Sequence, residues 1–271
     1  MPTVTIDGRP FDAEVGETIL DVARRNGIWI PTLCHHAALE PYAACRICVV
    51  EIDRGGWWQV VTSCNYPVRR DITVRVESER AQRARRGVMQ LLLARCPESP
   101  ELADLARRMG VEATPYPKVT EAQRNCILCG LCVRVCEERI GSAAISLAGR
   151  GADRAVAAPF RLASEDCIGC GACAAVCPVG TIVVRTHEDA GEVEISPFKS
   201  RVKLRRCAQC GEILGSELVR RALGARGGPT VVEILAGGDL CPRCRRAKQA
   251  RELAAAVPAG AGSGTASDRC G

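Results

Sequence analysis

The stretches Cys126-Ile127-Leu128-Cys129-Gly130-Leu131-Cys132-Val133-Arg134-Val135-Cys136 and Cys167-Ile168-Gly169-Cys170-Gly171-Ala172-Cys173-Ala174-Ala175-Val176-Cys177-Pro178 repeat one spacing, Cys-x2-Cys-x2-Cys-x3-Cys. It is the ligand run of a chain that holds two 4Fe-4S clusters, where three cysteines wrap one cubane and the fourth reaches the other. The expected pairing therefore crosses: Cys126, Cys129, Cys132 and Cys177 on one cluster, Cys167, Cys170, Cys173 and Cys136 on the other. The fourth cysteine of each run is expected to open a helix. Gly130, Gly169, Gly171 and Ala172 leave room for backbone amides to approach the sulfides. Two structural zinc sites are the alternative, against which stand the internal duplication and the proline after the last ligand.

Working outward toward the N-terminus, Cys34-x10-Cys45-x2-Cys48-x15-Cys64 offers four thiolates to one further site, read as a 2Fe-2S centre with zinc as the alternative. The surrounding pattern supports iron. Val4-Thr5-Ile6, the Asp7-Gly8 turn and Arg9 to Val15 predict a β-hairpin. Thr18 to Ala23 has helical apolar spacing and stops at Asn26-Gly27. Cys48 to Ile52, Trp58 to Ser63 and Ile72 to Val76 predict three returning strands, which together give a β-grasp domain. The gap of ten between the first two cysteines is longer than in plant-type ferredoxins.

A 2Fe-2S region of this spacing, then a linker, then Asn125 to Glu138 with its cysteine run, resembles the N-terminal part of the large iron-sulfur subunit of NADH dehydrogenase. It also resembles the diaphorase small subunit of NAD-reducing hydrogenases and parts of iron-only hydrogenases and NAD-dependent formate dehydrogenases. The similarity covers about residues 1 to 185. It implies an electron-transfer subunit, non-catalytic alone, that exchanges electrons with a flavoprotein NAD(H)-oxidising subunit and a hydrogenase or formate dehydrogenase catalytic subunit.

The chain departs from that pattern in the linker, where most members carry a histidine and three cysteines for another 4Fe-4S cluster. Residues 91–110 predict a helical pair with only Cys96, read as a structural thiol packed like a small hydrophobe. His35 and His36 adjoin Cys34 and are expected to tune that centre or cap its loop, and His187 is expected to be solvated.

Beyond residue 195, a basic strand from Phe198 to Arg206 leads into Cys207-x2-Cys210, followed by Cys241-x2-Cys244. These are two knuckles of a zinc-ribbon-like lobe, with a further iron-sulfur cluster as the alternative. Between them a helix is expected at 216–223 and a strand at Thr230 to Leu235. The tail after 250 is Gly- and Ala-rich, and Cys270 on it is read as incidental.

The expected fold class is thus α+β. It comprises a β-grasp 2Fe-2S domain (1–78), a helical linker (79–118), a bacterial-type two-cluster 4Fe-4S ferredoxin domain (119–190), the four-cysteine lobe (196–250) and a flexible tail (251–271). With three Phe, three Tyr and three Trp in 271 residues, no large aromatic core is available, and metal ligation is expected to supply stability instead. Eighteen cysteines without a signal peptide or a membrane-spanning apolar run indicate a reducing cytoplasm. The formal charge of +6 counts the cysteines as neutral. Three clusters and a four-thiolate zinc at about −2 each bring the loaded chain near neutrality, which weakens a nucleic-acid reading. Arg80, Arg83, Arg85 and Arg86 are expected on a solvated helix face.

No dinucleotide fingerprint, phosphate loop or hydrolytic constellation is present in the sequence. The expectation is an iron-sulfur wire with one 2Fe-2S cluster, two 4Fe-4S clusters and one zinc, and with no nucleic acid among its partners. A freely diffusing polyferredoxin and a redox-sensing metal protein are the other two classes.

Overall fold

The computed structural model describes residues 1–120, 125–226 and 238–256. Two compact units form, the first from residues 1–167, 171–185 and 194–200, the second from 168–170, 186–193 and 201 onward.

The first unit opens with β1 (Thr3–Ile6) and β2 (Arg9–Asp12), paired antiparallel with Ile6 opposite Arg9. Asp7 and Gly8 both take positive φ, 47° and 83°, as a type I′ turn demands. Helix α1 (Ile19–Arg25) starts at Thr18, whose hydroxyl accepts from the Asp21 amide while the Asp21 carboxylate accepts from Thr18, a capping box. It ends at Asn26, with Gly27 in the left-handed region. After the cysteine loop come β3 (Val49–Asp53), β4 (Trp58–Thr62) and β5 (Ile72–Arg75). β5 runs parallel to β1 and antiparallel to β3, giving the order β2-β1-β5-β3-β4, the topology of a β-grasp. The alternation of β1 points Val4 and Ile6 inward, where they meet Ile19, Leu20 and Val22 of α1 with Val50, Ile52 and Val74. Each such fully buried side chain contributes roughly 1.5–3 kcal/mol.

The linker forms α2 (Glu79–Arg95), capped by Ser78, and α3 (Pro100–Arg108), capped by Ser99 with proline at the first position. One expectation fails here. Arg85 does not lie on a solvated face: it is 5% exposed, and its Nε donates to the Val49 carbonyl at 2.9 Å, tying α2 to β3. Burial, the largest influence, lowers the Arg85 pKa, and Glu77 at 3.8 Å opposes it. Arg80, Arg83 and Arg86 face outward as expected.

Two short helices follow the cysteine loops, α4 (Leu131–Arg134), which continues as a π-helical stretch Val135–Ile140, and α5 (Ala172–Ala175). They begin at the residue before the third cysteine, not at the fourth. Cys136 lies inside the helical run and Cys177 follows α5, so the expected helix start is corrected by five residues in each run. Strands β6 (Ser146–Ala148) and β7 (Ala155–Ala157) make an antiparallel hairpin between the two runs. Strands β8 (Val183–His187) and β9 (Glu192–Ser196) follow the second run.

In the second unit, β10 (Ser200–Arg206) pairs antiparallel with β11 (Ile213–Ser216), which leads into α6 (Glu217–Arg226). Helix α7 (Pro242–Ala256) begins directly after Cys241. The helix expected at 216–223 is therefore present and longer, whereas the strand expected at Thr230 to Leu235, together with Cys270 and the tail beyond 256, lies outside the described residues.

Candidate functional site

The four N-terminal cysteines come from three places in the fold: Cys34 and Cys45 on the loop after α1, Cys48 at the start of β3, and Cys64 in the turn after β4. All four are buried. They form two pairs. The Cys45 amide donates to Cys34 Sγ at 3.4 Å, and the thiol of Cys34 lowers the Cys45 pKa to about 6 while its own rises. Cys64 does the same for Cys48, whose pKa falls to about 7. Cys64 also feels the charge of Cys34 and Cys45, so the pairs share one site. Two adjacent thiol pairs fit a two-iron centre, which takes two thiolates per iron.

The loop between Cys34 and Cys45 is held at its start. The His36 ring Nδ1 accepts from the Ala38 amide at 3.2 Å and caps the loop, while His35 Nδ1 lies 3.1 Å from the Arg24 guanidinium. Burial and then Arg24 lower the His35 pKa. The middle of the loop is gripped from α4 and its continuation: Arg134 donates to the Glu40 carbonyl, Arg139 donates to the Ala38 carbonyl, and Tyr42 lies against Gly130 and Arg134. The ten-residue gap is visible in the sequence. Its use as a clasp is not, because its partners are about a hundred residues away.

Cys126, Cys129, Cys132 and Cys177 line one cavity together with Arg95, Arg154, Val156, Ile182 and Phe198. Burial raises the pKa of Cys126, Cys129 and Cys132, that of Cys129 to about 12, and neighbouring thiolates add to it. Each of the three feels the charge of Cys177. Holding Cys126, Cys129 and Cys132 as thiolates in this buried pocket is favoured by positive charge beside them, which Arg95 and Arg154 bring to the lining and an iron cluster would add. The loop is shaped by left-handed residues at matching places in the two runs, Leu128 and Gly130 in the first, Gly169 and Gly171 in the second. Gly130 and Gly171 share φ near 75° and 72°, a conformation that glycine adopts without strain. Arg95, whose Nε donates to the Cys126 carbonyl at 2.7 Å, and Arg154 carry no signal in the sequence, since nothing local marks them.

Of the other run, Cys136, Cys167 and Cys173 belong to an apolar cluster with Ile145, Ala158, Ile182, Ile195 and Phe198. Cys170 is exposed and falls in the second unit. Cys96 caps α2 and is fully buried beside Met89 and Leu102, as expected of a packed thiol. Burial, and then Cys126, raise its pKa to about 12.

In the second unit Cys207, Cys210, Cys241 and Cys244 bring their sulfurs within 4.8 Å of one another. His187 ends β8.

Residues 1–79 match the 2Fe-2S iron-sulfur cluster binding domain family, and residues 125–181 and 166–212 match the 4Fe-4S dicluster domain family. The chain therefore carries a 2Fe-2S domain and 4Fe-4S dicluster domains of mixed α/β structure, and it resembles the iron-sulfur subunits of NAD(P)-linked oxidoreductases.

Among relatives, it is 35% identical over 173 residues to the NADPH-Fe(3+) oxidoreductase subunit alpha of Geobacter sulfurreducens, covering 56% of this chain and 20% of that protein. It is 35% identical over 223 residues to the NADP-reducing hydrogenase subunit HndD of Solidesulfovibrio fructosivorans, covering 71% of this chain and 37% of that one. NADH-ubiquinone and NADH-quinone oxidoreductase subunits also align. The alignments thus span only a fifth to somewhat over a third of these two relatives. Among solved structures, a chain of an NAD+-reducing [NiFe]-hydrogenase superposes with a TM-score of 0.53 at 26% identity, covering 74% of this chain and 86% of that one. No helix among the described residues is long and apolar enough to cross a membrane.

Proposed function

We propose that this chain is an electron relay, passing single electrons between an NAD(H)-linked flavoprotein and the catalytic subunit of a cytoplasmic hydrogenase or formate dehydrogenase type complex. Bound iron-sulfur clusters would supply the one-electron chemistry; the chain supplies thiolates, spacing and a dry path. In this reading Cys34, Cys45, Cys48 and Cys64 hold a 2Fe-2S centre, Cys126, Cys129, Cys132 and Cys177 one cubane, and Cys136, Cys167, Cys170 and Cys173 the other. Cys207, Cys210, Cys241 and Cys244 hold a separate metal, read as zinc.

One observation carries the relay reading. Cys34 and Cys45 of the first site and Cys129 of the cubane site lie in a single buried apolar cluster with Leu33, Ile47, Ile127 and Leu131, and the charge of Cys45 reaches Cys129. No linker centre is needed to join them, which accounts for a linker that carries Cys96 alone. Cys34, Cys45 and Cys129 are all buried, and in low-dielectric surroundings charge on one thiol group is felt at the other.

The test is Cys45→Ser in the full chain, purified anaerobically with its flavoprotein partner. The 2Fe-2S EPR signal and NADH-linked reduction of the cubanes should both vanish, while the cubanes still reduce with dithionite. Unimpaired NADH-linked reduction in this variant would overturn the relay.

A further inference from the structure

The match to the 4Fe-4S dicluster family over 166–212 draws Cys207 and Cys210 into a cluster-binding pattern. Their side chains lie elsewhere, closing on Cys241 and Cys244, and the four sulfurs sit within 4.8 Å of one another, with Cys210 and Cys241 at 3.7 Å. A single tetrahedral ion with metal–sulfur bonds of about 2.3 Å sets its sulfurs about 3.8 Å apart. A cubane interposes four irons and four sulfides, and its thiolates stand much further apart than that. Among the described residues no other group of three or more such side chains closes this tightly. The cysteines read as cubane ligands are spread more widely, as a larger guest requires.

The surroundings complete a closed site. The Cys241 amide donates to Cys207 Sγ at 3.3 Å and the Cys244 amide to Cys241 Sγ at 3.4 Å, the backbone bonds that orient and partly neutralise bound thiolates. Gly211, left-handed at φ 75°, donates to the Cys207 carbonyl at 2.9 Å and folds the first knuckle back on itself. Cys207, Cys241 and Cys244 are buried and Cys210 is exposed; four thiolates on one ion would fill a tetrahedral coordination and leave no open position for a substrate. Among the described residues, the three buried cysteines form an apolar cluster with partly buried Leu214 and Leu240. A bound ion would offset the repulsion of four thiolates held this close and stabilise their cluster.

Resting on the reading of these four thiols as a metal site, we infer that Cys207, Cys210, Cys241 and Cys244 hold one mononuclear divalent ion of the zinc type and no cluster. The lobe is then structural and electron-silent, and it takes no electrons from the cubanes.

The experiment compares the full chain with the Cys241→Ser/Cys244→Ser double variant, both isolated anaerobically, by zinc, iron and acid-labile sulfide content and by EPR after reduction. Loss of about one zinc, or of one iron without sulfide, with the cluster EPR unchanged, supports the inference. Loss of about four iron with as much sulfide overturns the mononuclear site while leaving a metal site in place. An unchanged metal content overturns both. Should the variant fail to fold, cobalt exchanged into the wild-type chain replaces it: intense thiolate-to-cobalt charge transfer with tetrahedral d–d bands is expected, and their absence counts against the site.

Discussion

The guanidinium of Arg134 lies 5.5 Å from the ring centroid of Tyr42, joining the helix after the first cubane loop to the middle of the long gap between Cys34 and Cys45. Arg134 also pairs with Glu138 at 3.1 Å and donates to the Glu40 carbonyl, so one side chain holds both segments. A cation–π contact of this kind is worth about 0.5–1 kcal/mol. Arg134→Ala should speed hydrogen exchange at residues 38–43 several-fold and lower the melting temperature by a few degrees with ligands untouched. Unaltered exchange there would show that the clasp has no part in holding the loop.

Arg85 is a second tie, between α2 and the strand that starts next to Cys48. Arg85→Ala leaves the Val49 carbonyl short of its donor and opens a void, at a cost of roughly 2–3 kcal/mol. Arg83→Ala, on an exposed residue of the same helix, should change stability by less than about 0.5 kcal/mol. Urea unfolding of both variants checks the contrast; equal effects would contradict the burial of Arg85.

Cys96 has its pKa raised to about 12 by burial. A raised thiol pKa means a neutral S–H throughout the physiological range, with roughly one part in ten thousand ionised at pH 8. Iodoacetamide at pH 8 should leave Cys96 unmodified in the folded chain and alkylate it after denaturation, and the protection should fade only toward pH 11–12. Peptide mass spectrometry reads this directly, and prompt labelling at pH 8 would mean the site opens.

Arg95 places a positive charge at the cavity of Cys126, Cys129, Cys132 and Cys177. A cation stabilises the reduced, more negative form of a bound cluster, so Arg95→Gln should lower the potential of that centre by on the order of tens of millivolts. Redox titration followed by EPR should find the 2Fe-2S potential nearly unmoved. A fall of equal size at both centres would point to a general structural change instead.

Much of this is legible in the sequence because short-range chemistry is specific. The Asp7-Gly8 turn and the Asn26-Gly27 stop each depend on a few neighbouring residues, and each appears where the pattern puts it. The repeat of Cys126–Cys136 and Cys167–Cys177 likewise reappears as repeated left-handed residues. What is not legible is long-range. The burial of Arg85 depends on a carbonyl 36 residues away, and Arg134 reaches Glu40 across 94. A helical face rich in arginine looks the same in sequence whether one of them turns inward or none does. The helix starts differ from expectation for a related reason: the left-handed glycines before Leu131 and Ala172 reset the chain earlier than the fourth cysteine.

Leu33, Leu39 and Ile47 stand in the N-terminal cysteine loop yet are buried in the same cluster as Met89, Leu102 and Val179. A fragment ending at residue 78 would therefore strand a patch of bare hydrocarbon around its own four cysteines and is expected to aggregate or fail to hold iron. An engineer wishing to transplant this 2Fe-2S centre into another scaffold would have to move the two linker helices and the first cubane loop with it, because the portable unit is larger than the motif that advertises it.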